Sequence, residues 1–280
     1  MSVSKYRKEV IDRVKKHKST VDRKVNSILN LSDSNEKLAE LIAIVNDNGA
    51  TAEQKTGALS MLNAVSNFSS AARKLQPEIV NTLRGQIEAP DQDLRLSAIS
   101  TLAALKDDVV QERLLEEITS DKPEEERLVP TASALALLGR DEKALSSSVL
   151  QGIISNPPND ESLIEAVRQM PSDPDACEAL ISLMKDNKAP LAAREMIPEM
   201  VAEADPTAFL SAAEDMLKSS GAEDDLAPRL VKGVSMVTAP EAAKAVESTK
   251  KVVAKLRDNA PKSFQSVAGE LLDKDDSTDN

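Results

Sequence analysis

Tryptophan is absent from this sequence of 280 residues, and aromatic side chains are scarce, with one Tyr and three Phe. A core must then be packed by Leu, Ile, Val, Met and Ala. That palette favours helices over strands built from β-branched and aromatic residues. No run of alternating apolar and polar residues makes a convincing sheet. A single cysteine, Cys177, excludes an internal disulfide and fits a reducing compartment. No stretch approaches eighteen consecutive apolar residues, so a membrane-spanning helix is not expected. The opening MSVSKYRKEVIDRVKKHK is basic but lacks the apolar core of a signal peptide. These absences lead to the expectation of a cytoplasmic protein.

Residues suited to catalysis are equally few. His17 is the only histidine, set in a lysine-rich stretch with no second His and no Cys nearby. A zinc site lacks ligands. Neither GxGxxG nor GxxxxGK[ST] occurs, so a phosphate-cradling loop is unsupported. Cys177 has apolar neighbours at i+3, i+4 and i+7, which reads as a core position. The acidic runs Glu116/Glu117, Glu124–Glu126, Glu223–Asp225 and Asp273–Asp276 read as solvated helix starts, and none matches a calcium loop. No catalytic residue, cofactor or metal is therefore assigned.

What is present is a repeat. Residues 56–65 read TGALSMLNAV, and forty residues later 96–105 read LSAISTLAAL. Taking Ala58 and Ala98 as one column, steps of 34, 34, 34 and 30 lead to Ala132, Ala166, Met200 and Leu230. The next column runs Leu59, Ile99, Ser133, Val167, Val201, Val231. A third runs Leu62, Leu102, Ala136, Met170, Ala204, Val234. Offsets of zero, one and four lie on one helical face. Pro130, Pro198 and Pro228 recur two positions ahead of the first column.

A second set of helices is predicted between these, over about 71–88, 107–119, 142–155, 174–187, 206–219 and 239–257. Asp173-Pro174 and Asp205-Pro206 each set an N-cap acid before a first-turn proline. The acids after Pro123 suit the positive end of a helix. Gly139 and Gly221 fall where helices should end. Gly57, Gly85, Gly152, Gly233 and Gly269 fall inside predicted helices and read as sites of close packing. Helix, turn, helix at a period of 30 to 40 residues is the pattern of a solenoid, in which each pair buries its apolar faces on its neighbours.

Over roughly 50–260 the repeats resemble HEAT repeats. PDQDLRLSAISTLAALKDD (90–108) matches best, with Asp91, Asp93 and Arg95 ahead of the apolar face, and the recurring prolines match the kinked first helix of that family. The resemblance implies an α-solenoid of about six helix pairs over 32–272. The family includes scaffolds, transport receptors, subunits of DNA-associated complexes and a few enzymes.

Charge separates the ends from the body. Residues 1–31 hold nine Lys/Arg and three Asp/Glu, whereas the remaining residues hold 26 and 44. In 3–29 a stripe of Val3, Tyr6, Val10, Val14, His17, Val21, Val25 and Ile28 predicts a long basic amphipathic helix. It serves either as a cap on the first repeat or as a binding arm, with Arg7, Arg13, Lys15, Lys16 and Lys18 as candidate partner-binding residues. The helix could also reach the chain's own acidic body or that of a second copy. The tail 273–280 is acidic and is expected to be disordered. An acidic body repels phosphate, so nucleic acid is expected only through 1–31.

The expectation is an all-α, non-enzymatic protein-binding scaffold or adaptor, whose partner offers a basic or extended segment. Two alternatives are an enzyme on a HEAT-like frame, such as a bilin-lyase type, and nucleic-acid association through the N-terminal helix. A DNA glycosylase of the same frame would need a basic groove and aromatic platforms, which this composition does not offer.

Overall fold

The computed structural model describes residues 34–66, 70–141 and 143–273, and the ordered elements in them are all helical, with no strand among the described residues. The basic segment 1–31 and the acidic stretch 274–280 lie outside the described residues. The chain divides into two compact units, Met1–Pro130 and Thr131–Asn280.

The first unit contains α1 (Ser34–Asn46), α2 (Ala52–Ser66), α3 (Ser70–Arg84), α4 (Gln92–Ala104) and α5 (Asp108–Thr119), followed by a single 3-10 turn at Glu124–Glu126. There α1 packs on α2 and α3, α2 on α4, α3 on α4 and α4 on α5. The second unit contains α6 (Thr131–Leu138), α7 (Ser147–Ser155), α8 (Asp160–Gln169), α9 (Cys177–Lys185), α10 (Leu191–Arg194), α11 (Ile197–Ala204), α12 (Pro206–Ser220), α13 (Ala227–Met236), α14 (Ala243–Arg257) and α15 (Lys262–Asp273). There α6 packs on α8, α8 on α10, α11 on α13 and α13 on α15. In addition α7 packs on α8 and α9, α9 on α11 and α12, and α12 on α11 and α14.

Short polar side chains set the helix starts. Before α2, Thr51 and Gln54 form a reciprocal capping box: Gln54 N–H donates to Thr51 Oγ1 at 3.2 Å, and Thr51 N–H donates to Gln54 Oε1 at 2.9 Å. Asp91 caps α4 by accepting from Leu94 N, and Asn159 caps α8 by accepting from Ser162 N. Asp205 caps α12 ahead of Pro206, as the Asp-Pro pair predicts. Asp173-Pro174 instead opens a 3-10 turn, Pro174–Ala176, and α9 proper begins at Cys177. The acids after Pro123 do not open a full helix. Their turn ends at Arg127, and the next helix starts at Thr131. The start predicted at 142 moves to Ser147, where Ser146 supplies the cap.

The repeat columns hold in four places and shift in two. Offsets of zero, one and four are all buried at Ala58/Leu59/Leu62, Ala98/Ile99/Leu102, Ala166/Val167/Met170 and Leu230/Val231/Val234. In α6, however, Ala132 and Ser133 are half-buried and Ala136 is exposed, and the buried triple is Ala134/Leu135/Leu138. In α11 Met200 and Ala204 are half-buried, and the triple is Ile197/Pro198/Val201. The register slips forward by two in the first case and back by three in the second. A constant step fails because the loops between helices differ in length. With the corrected columns the prolines lose their common phase. Pro130 directly precedes α6, whereas Pro198 and Pro228 occupy the first turns of α11 and α13. Pro198 does separate α10 from α11, where its missing N–H interrupts the ladder.

Glycine behaves as expected at three places, the first being Gly139, which directly follows the last residue of α6. Gly221 ends α12 at φ 74°, in the left-handed region. Gly233 in α13 meets fully buried Phe209 so closely that a Cβ would lie 2.5 Å from its Cζ. Gly152 has nothing within 4 Å, and Gly85 falls in the turn after α3, so neither serves close helix packing.

Candidate interaction surface

The five candidate partner-binding residues, Arg7, Arg13, Lys15, Lys16 and Lys18, lie outside the described residues, as does His17. The other polar features fall into internal ties and an outward acidic face.

The tightest tie lies between α3, α4 and α5. The turn Leu105-Lys106-Asp107 closes α4 with two paired bonds: Lys106 N–H donates to Ala103 O at 3.1 Å, and Asp107 N–H to Leu102 O at 3.0 Å. This is a Schellman arrangement, and Lys106 takes the left-handed conformation at φ 56° that glycine usually fills. Asp107 is buried and opens α5, its Oδ1 accepting from Val110 N. Both of its carboxylate oxygens also receive the Arg84 fork.

Among the described residues of the first unit Glu117 is the most buried carboxylate, with its side chain 2% exposed. It accepts from Lys122 Nζ at 2.8 Å and from Leu128 N at 3.1 Å, and Arg113 Nη2 lies 3.9 Å away. Burial opposes its charge, but the Lys122 and Leu128 hydrogen bonds and the charges of Lys122 and Arg113 outweigh burial. The carboxyl is held below its ordinary value. Glu117 is therefore a structural clasp, not the solvated acid expected of the Glu116/Glu117 pair. Its spacing held the signal: it lies three residues after Leu114, on the face of Val110 and Ile118.

Arginines satisfy loop carbonyls that helix ends leave open. Arg95 donates from Nη1 to Ala89 O at 2.6 Å and from Nε to Leu128 O at 2.8 Å, joining the loops before α4 and before Pro130. Arg127 reaches Lys122 O and Ser120 O. Buried Arg194 in α10 donates to Met184 O at 2.9 Å. Sequence reasoning placed Asp91 and Arg95 ahead of the apolar face but missed the roles of Arg127 and Arg194. Nothing in their immediate sequence marks the carbonyl they reach.

Cys177 is buried on α9, and its Sγ lies 3.6 Å from Asp173 O. Burial, then the charges of Asp205 and Asp173, push the thiol up from its ordinary value. That is the environment of an inert thiol. Among the described residues no group of three or more His, Cys, Asp or Glu is placed to hold a metal ion. No helix among them is long and apolar enough to cross a membrane.

The outward surface of the first unit has two features. An open groove of about 330 Å³ runs along α3, lined by Gln76, Pro77, Val80, Asn81 and Arg84. Beyond Asp107, α5 carries Asp108, Glu112 and Glu116 on its exposed side, at i, i+4 and i+8. Leu105 and Val109 are exposed beside them, at 44% and 43%. Residues 107–126 hold nine carboxylates and two basic residues, whereas the rest of 34–130 holds eight of each. The whole net charge of that region thus comes from α5 and the loop after it.

No protein-family profile matches the chain, and no curated protein matches it either.

Proposed function

We propose that this chain is a HEAT-like α-solenoid scaffold that binds a protein partner through an acidic helical surface, without chemistry of its own. One observation carries the reading: the buried triple at offsets zero, one and four recurs on every second or third helix. It runs from Ala58 through Ala98, Ala134, Ala166 and Ile197 to Leu230, at intervals of 40, 36, 32, 31 and 33. Within the units such helices pack on one another, α2 on α4, α6 on α8 and α11 on α13. Within the second unit the contact series α6–α8–α10, α11–α13–α15 and α7–α9–α12–α14, with α9 also on α11, support a stack of two-helix repeats. Such stacking spends apolar surface internally and leaves long polar faces for partners. Because those faces are acidic, the complementary partner carries a basic or extended segment.

The test is affinity capture with the immobilised full-length chain, with and without nuclease, beside a variant bearing Gln at Arg7, Arg13, Lys15, Lys16 and Lys18. Salt-eluted proteins with basic segments, captured undiminished after nuclease and at least as well by the variant, support the scaffold. Capture that nuclease abolishes or that the variant loses moves function to the basic arm and overturns it.

A further inference from the structure

We infer that the outward face of α5 is a docking surface for the chain's own basic N-terminal segment, bound in cis. The inference deepens the scaffold reading, because the segment then occupies an acidic surface that a basic partner would need.

The face is an apolar pair framed by carboxylates. Leu105 and Val109 stand exposed, and Asp108, Glu112 and Glu116 follow one another along the same side of the helix. Glu112, Asp121, Glu125 and Glu126 make no ion pair among the described residues, and the only ion pair of Glu116 there is to Arg113 on its own helix. The face therefore offers negative charge around an exposed apolar centre. An occupant of matching chemistry needs an apolar stripe flanked by Lys and Arg. Residues 3–29 have that design, with Val10, Val14 and Val21 in the stripe and Arg13, Lys15, Lys16 and Lys18 beside it. Their balance of nine basic to three acidic residues opposes the nine acidic to two basic of residues 107–126.

Reach and tether favour cis over trans. As a helix, 27 residues would measure about 40 Å, or four packed-helix widths of roughly 10 Å, which gives the segment long reach. Its end at 29 lies only a few residues from the start of α1 at Ser34, so the local concentration of the segment is high. The Arg84–Asp107 fork holds the start of α5 against the end of α3, which itself packs on α1. The groove along α3 is a weaker candidate for the same segment, because its one charged lining residue is Arg84.

Zero-length carbodiimide cross-linking tests this on the intact chain. Equal amounts of unlabelled and 15N-labelled protein are mixed, cross-linked at low salt and digested. Lys15, Lys16 or Lys18 should join Asp108, Glu112 or Glu116 in peptide pairs of one isotope only, and the pairs should be lost at 1 M salt, where the Debye length is about 3 Å. Mixed-isotope pairs would overturn the cis assignment in favour of a second copy. Cross-links spread evenly over other acids, such as Glu178 or Glu241, would overturn the surface itself. A second readout uses D108N/E112Q/E116Q, three exposed changes that leave the core untouched. Tryptic cleavage after Arg13, Lys15 and Lys16 should accelerate in this variant at unchanged melting temperature, and an unchanged rate counts against docking. Neither readout needs an external partner, so failure of the scaffold reading is seen separately, as capture that nuclease abolishes or the Gln variant loses.

Discussion

Asp107 receives the Arg84 guanidinium through two hydrogen bonds, Nε to Oδ1 at 3.2 Å and Nη2 to Oδ2 at 2.7 Å, while its own backbone closes α4 and its side chain opens α5. One residue thus terminates a helix, starts the next and anchors a third. Loss of the cap alone costs about 1 kcal/mol, and Asp107→Ala should lose more than that because the fork goes with it. Asp107→Asn keeps a capping oxygen and should fall between Ala and wild type. Arg84 is half-exposed, so Arg84→Met should cost less than Asp107→Ala. Urea denaturation of the three variants checks the order.

Glu117 makes stability depend on acid. Its folded carboxyl is held below the ordinary value, so its contribution is full above the unfolded pKa of a glutamate. That contribution fades as pH falls through the depressed folded value. Glu117→Gln should lose about 1–3 kcal/mol at neutral pH, the worth of hydrogen bonds to a buried charge. The gap to wild type should shrink towards zero in strong acid. Denaturation midpoints of both proteins, followed from pH 7 into strong acid, measure both ends.

Two glycines should respond with opposite sign. Gly233→Ala drives a methyl into Phe209, which is fully buried and has no room to move, at a cost of about 1–3 kcal/mol. Gly152→Ala meets nothing within 4 Å and should gain about 0.5–1 kcal/mol from lower backbone entropy in the unfolded chain. Thermal melts of the pair separate close packing from propensity.

The Cys177 thiol should resist modification. Burial and the Asp205 and Asp173 charges all disfavour its thiolate. A disulfide reagent at pH 8 should react slowly with the native protein and fast in urea. A native rate equal to the unfolded one would contradict the buried position.

Legibility followed the range of the interaction. The all-helical class, the cap at Asp205 and the stop at Gly221 were readable, since each depends on composition or on a few adjacent residues. The face of Ala58, Ala98, Ala166 and Leu230 was readable because apolar periodicity is local too. The faces of α6 and α11 were misread, because a fixed repeat length had stood in for loops of unequal length. Glu117 was read as solvated because its partners, Lys122 and Leu128, come from the loop that folds back over it.

By itself, the sequence determined that this protein is built from helices with an aliphatic core, an acidic body and a basic leading segment. Propensity, periodicity and charge are properties of residues and near neighbours. Tertiary structure alone decided which side of each helix is buried where the repeat drifts. It also decided that Asp107 binds Arg84 and that Arg95 bridges Ala89 and Leu128. Those contacts join residues 6 to 33 positions apart, and a side chain commits to such a partner only once packing has brought it within reach and removed the water that would otherwise compete.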